Sequence, residues 1–91
     1  MWFVTLVKNG QPPTKESAMK VQEKMKTAES WGVKFHQAFF CLGPYDVVQL
    51  SEAPDEKTAL RVAMLFSELG GSSVSMPAVA LEEVMGWLMK M

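Results

Sequence analysis

The chain has 91 residues, nine basic and ten acidic side chains and a formal net charge of -1. That length is one domain, residues 1–91, and basic residues spread without a block leave out the electrostatic footprint of a nucleic-acid binder. A single cysteine excludes an intrachain disulfide and suits a reducing cytoplasm, and no apolar run reaches the roughly 18 residues a membrane span needs.

Trp2 to Lys8 is rich in β-branched and aromatic residues and reads as a first strand. It lacks a basic leader and meets Lys8 too early for a signal peptide. The run Asn9-Gly10-Gln11-Pro12-Pro13 breaks it. Thr14 is placed to cap a helix, its hydroxyl accepting from an orphan N–H of the first turn. Ala18, Val21, Met25 and Ala28 then recur at spacings of 3, 4 and 3, one helical face. Gly32 stops that helix.

Val33 to Leu42 reads as a second strand and Tyr45 to Ser51 as a third. The corner between them, Gly43-Pro44, suits a two-residue type II′ hairpin, with positive φ at the glycine and the fixed φ of proline after it. Ala53-Pro54-Asp55-Glu56 opens a second helix, with acids near its positive end. Ala59, Val62, Ala63, Phe66 and Leu69 form its buried stripe, and Gly70-Gly71 ends it. Ser73 to Ala80 is a fourth strand. Pro77 cannot donate to a ladder, so this strand belongs at an edge. Leu81, Val84, Leu88 and Met91 mark a short terminal helix.

The order β-α-β-β-α-β with a tail helix is the ferredoxin-like, split βαβ pattern, an α+β antiparallel sheet. Right-handed crossovers set both long helices on one face of it. The other face should then alternate apolar and polar residues. If Leu42 pairs with Tyr45, one face holds Phe35, Gln37, Phe39, Cys41, Asp46, Val48 and Leu50, and the other holds His36, Ala38, Phe40, Leu42, Tyr45, Val47, Gln49 and Ser51. Both carry large apolar groups. The first set, the more apolar, is expected under the helices and the second on the open face. Hydrophobic residues make up 48% of the chain, while a domain this small buries only about two-thirds of its surface. An apolar patch on the open face therefore calls for a partner subunit or a ligand.

The stretch Leu42 to Glu56, LGPYDVVQLSEAPDE, resembles the signature of the GYD domain family, small proteins named for a Gly-Tyr-Asp motif before a strand. Gly43, Tyr45 and Asp46 match with Pro44 between them, and Glu52 to Glu56 resembles the family's lead into its second helix. The resemblance implies the fold of the dimeric α/β-barrel group, whose members pair sheet against sheet. That group includes cofactor-free monooxygenases, haem-degrading enzymes, isomerases and ligand-sensing domains. A shared fold does not assign one of these activities.

Candidate site residues are few. His36, the only histidine, is a candidate base or ligand, or an interface histidine. Tyr45 and Asp46 are a candidate donor and base. Adjacent strand residues point to opposite faces, so the expectation is that the pair is chiefly architecture, with Asp46 on the helix side. His36, Phe40, Tyr45 and Gln49 are the expected ligand contacts on the open face. Cys41 reads as a core cysteine rather than a nucleophile. No CxxC, HxH or acidic pair at ligand spacing appears, so no metal is expected, and no cofactor. Met85, Trp87 and Met89 exceed what a thin tail helix needs, and pack on a partner subunit or on their own core.

The sequence therefore points to a homodimer or larger assembly that encloses a small pocket for an apolar or aromatic molecule. The alternatives are a cofactor-independent monooxygenase or isomerase using His36 or Asp46 as base and Tyr45 as donor, and a purely structural interaction module.

Overall fold

The structure, a computed structural model, describes residues 1–8 and 14–91. The break expected at residues 9–13 lies outside them. Strand β1 is Trp2–Lys8, helix α1 Lys15–Ser30, strands β2 and β3 Lys34–Phe40 and Val47–Glu52, helix α2 Glu56–Ser67, strand β4 Ser72–Ala78 and helix α3 Leu81–Met89. The sheet is antiparallel in the order β2-β3-β1-β4. This is the ferredoxin-like arrangement, and the strand bearing Pro77 lies at an edge.

Local chemistry sets the helix ends. The Thr14 hydroxyl accepts from the Ser17 N–H at 3.1 Å, and the Thr14 N–H donates to the Ser17 hydroxyl at 2.9 Å, so serine takes the place usual for glutamate in a capping box. After α1 the chain reverses at Gly32, whose φ is +92°. A Cβ there would also stand 3.0 Å from Pro54 Cγ, so glycine is required twice over. At α2 the Asp55 carboxylate accepts the Thr58 N–H at 2.8 Å. That bond holds the Asp55 carboxyl below its ordinary value.

The core is small. Phe3, Ala28, Val33 and Ala53 are buried, flanked by Phe35, Ala59, Val62 and Leu65. Phe35 meets Phe66 edge-on, with centroids 6.2 Å apart. Lys24 pairs with Glu68 to join α1 to α2, and Arg61 lies over the Trp31 ring at 4.0 Å. α3 packs closely on no other element. It carries Met85, Trp87, Leu88 and Met89 exposed, so the tail does not cap its own core. The body measures 50 × 31 × 17 Å, with a radius of gyration of 14.5 Å, against the roughly 12 Å usual for this length.

Two expectations fail at the β2–β3 connection. Residues 41–46 form a wider loop in place of a two-residue hairpin, closed by the Cys41 N–H donating to the Asp46 carbonyl at 2.8 Å. Gly43 does not take positive φ, and a Cβ there would meet nothing. The Asp46 N–H donates to the Val7 carbonyl at 2.8 Å, which ties the end of the loop to β1 and lets it open. Cys41 is half-buried in this loop, not a core residue.

The third correction concerns the faces. Gln37 pairs with Leu50 while Phe35 pairs with Ser51, so β2 holds one extra residue, His36, in a bulge. Phe35 keeps its expected place on the helix side, where Ser51 joins it beside Phe3, while Gln37, Phe39, Val48 and Leu50 fall on the bare face instead. Phe40, Val47 and Gln49 also lie on the helix side by register, with Ala38, Val7 and Thr5. The face the helices leave bare is the more apolar one. Its central row runs Met76–Val4–Leu50–Gln37 and its next row Val74–Leu6–Val48–Phe39.

Candidate functional site

The bare face changes character at one end. There the register sets Lys34, Glu52, Trp2 and Ala78 in a row across the four strands. The bulge adds His36 to that row. A bulge re-aims a side chain that plain alternation would send elsewhere. The His36 ring lies against the Trp2 ring, with centroids 4.5 Å apart and planes tilted by 37°. His36 Nε2 is 3.2 Å from Glu52 Oε1. A carboxylate can only accept, so Nε2 carries the proton, and in the neutral ring the lone pair is on Nδ1. β1 is fixed beside β3 at this end by a reciprocal pair, Met1 nitrogen to the Ala53 carbonyl at 3.0 Å and the Ala53 N–H to the Met1 carbonyl at 2.8 Å.

The result is an indole and an imidazole in contact, a carboxylate orienting the imidazole, and an ammonium in the same row. Beyond them lies an apolar floor of Val4, Leu50, Leu6 and Val48. All stand at a surface: Trp2 is 38% exposed and Phe39 59%. The small pocket is expected in an assembly; a single copy has an open recess of about 210 Å³ lined by Met1, Gly32, Lys34, Glu52, Ala53 and Pro54. The cavity under α2, lined by Phe3, Thr5, Val33, Ser51 and Ala59 among others, offers about 20 Å³, the space of a single water. An aromatic ring does not fit in that cavity.

The four ligand contacts read from the sequence do not come together. His36 is on the bare face, whereas Gln49 and Phe40 are on the helix side. Tyr45 and Asp46 precede β3 in the loop, so strand alternation does not govern them. The Asp46 backbone bonds to Val7 and Cys41. Sequence reasoning missed Glu52 and Trp2. Glu52 was read with the lead into α2, yet it ends β3; an acid at a strand end across from the only histidine was the available signal. Among the described residues no group of three or more His, Cys, Asp or Glu side chains could hold a metal ion, and no helix is long and apolar enough to cross a membrane.

The fold is thus a ferredoxin-like α+β sheet with helices on one face. The chain belongs to the GYD domain family, whose model matches residues 1–88. No curated protein matches the sequence. Among solved structures it is similar to 5-chloro-2-hydroxyhydroquinone dehydrochlorinase from Burkholderia phenoliruptrix AC1100, in complex with 2,5-dihydroxybenzoquinone, with a TM-score of 0.57 and 10% identity over 91% of this chain and 98% of that one. It is also similar to SCO4226 from Streptomyces coelicolor A3(2), with a TM-score of 0.52 and 19% identity over 86% of this chain and 99% of that one.

Proposed function

We propose that this protein is a homodimer, joined through the bare sheet face, that binds a small aromatic molecule between Trp2, His36 and the apolar floor. The observation that carries the reading is the Trp2–His36 ring contact at the end of an uncovered apolar face. The ring pair supplies a flat wall for a planar ligand. The apolar rows beside it leave a contiguous patch that a lone chain of this size rarely exposes. A second copy laid on that face converts the open row into a pocket. The dehydrochlorinase of the same fold, which holds the planar ring of a dihydroxybenzoquinone, supports the choice of a small planar ring ligand.

The test is calorimetric titration with 2,5-dihydroxybenzoquinone. Saturable binding is expected, weakened about three- to tenfold by Trp2→Ala, the loss of one ring contact. No saturable heat, or full affinity in Trp2→Ala, refutes the site.

A further inference from the structure

We infer that the His36–Glu52 pair accepts a proton from a hydroxylated aromatic ligand, so that the site takes acidic phenols and holds them as phenolates. The inference rests on the proposed aromatic site and adds a chemical class and a proton acceptor to it. It follows from how the pair is built. Glu52 Oε1 at 3.2 Å accepts from Nε2, so in the neutral ring the lone pair is on Nδ1. An imidazole oriented in this way by a carboxylate is a general base, and the imidazolium it becomes is stabilised by the same carboxylate.

The charged groups on this end of the face are Glu52 and Lys34, neighbours across β2 and β3, with the Met1 nitrogen bonded to the Ala53 carbonyl. No second carboxylate stands in the row. Lys34 and the imidazolium favour an anionic oxygen, while Trp2 stacks on the ring that bears it. An aliphatic hydroxyl holds its proton too tightly for imidazole to take it. A phenol acidified by electron-withdrawing groups does not, because its ring spreads the charge and brings its acidity close to that of imidazolium. The step is a proton transfer alone: the ligand O–H bond breaks, its electron pair stays on the oxygen, and an N–H bond forms at Nδ1. No oxidant or cofactor enters the balance.

The experiment uses 4-nitrophenol, whose phenolate is yellow and whose phenol is not. The full chain is titrated at a pH where the free probe is mostly phenol. The phenolate-to-phenol ratio of bound probe is expected to rise about tenfold or more over that of free probe, the effect of an adjacent positive charge. Whatever probe His36→Gln still binds should lose the yellow shift, and Glu52→Gln should reduce it. Circular dichroism establishes that both variants are folded. Probe that binds without colour change overturns the proton acceptor and leaves the aromatic site standing. An undiminished shift in folded His36→Gln also overturns it, and no binding at all overturns both readings.

Discussion

His36 meets Glu52 because β2 carries one residue more than β3 answers. With Phe35 opposite Ser51 and Gln37 opposite Leu50, His36 has no ladder partner, and its ring turns to Glu52 and Trp2. A strand without the bulge would set residues 35 and 37 on one face and leave Phe35 out of the core. One inserted residue thus completes the core and builds the site.

Removing that pair should cost the fold little. Both side chains are more than a third exposed, and exposed ion pairs contribute about 0.2–1 kcal/mol. Thermal melts of His36→Ala and Glu52→Gln are expected to lie close to that of the wild type. A loss of several kcal/mol in either would assign the pair to stability instead of ligand binding.

Gly32 and Gly43 should answer substitution in opposite ways. Gly32→Ala forces a positive φ on alanine and presses its Cβ to 3.0 Å from the Pro54 ring, so a loss of about 1–3 kcal/mol is expected. Gly43→Ala meets neither obstacle and should change stability by less than about 1 kcal/mol. Denaturant midpoints measure both. Equal losses would mean that Gly43 has a constraint its φ does not reveal.

This contrast marks what the sequence holds. The element order was legible, because helical spacing such as Ala18-Val21-Met25-Ala28 and the caps Thr14 and Asp55 are written locally. The edge place of β4 followed from Pro77 alone. The faces were not legible. Strict alternation from Val33 to Leu42 hides a bulge, since the extra residue shows only against the partner strand. The loop at residues 41–46 opens because Asp46 bonds to Val7, a contact between distant segments that Gly-Pro cannot signal. His36 stood out by being the only histidine. Trp2 and Glu52 did not, because each has an ordinary strand reading until the register sets them side by side.

Asp55 gives a pH signature. Its carboxyl is held below the ordinary value of 3.8 chiefly by the Thr58 N–H, so the folded group titrates lower than the unfolded one. Its stabilisation is therefore fully present above the unfolded value and lost as pH falls through the folded one. Asp55→Ala is expected to melt lower than the wild type at neutral pH, and the gap should close as pH drops below about 4. A gap independent of pH would rule out the charged cap as its source.

The homodimer is tested on its own surface. Val48 lies in the middle of the bare face, so Val48→Lys would bury an unpaired ammonium in the interface. Sedimentation velocity at micromolar concentration should find a wild-type dimer and a monomeric or insoluble Val48→Lys. Leu60→Lys, on an exposed position of α2, should leave the dimer intact. A monomeric wild type would remove the interface.

The central claim is that the ligand sits on the bare face at Trp2, His36 and Glu52, and amide chemical-shift mapping reads it most directly. Titrating 2,5-dihydroxybenzoquinone into the nitrogen-15-labelled chain should move the peaks of Trp2, His36, Gln37 and Glu52 together, in one saturable curve. Shifts confined to Thr5, Val33, Ala59 and Val62 would place the ligand under α2 instead, and would contradict the account.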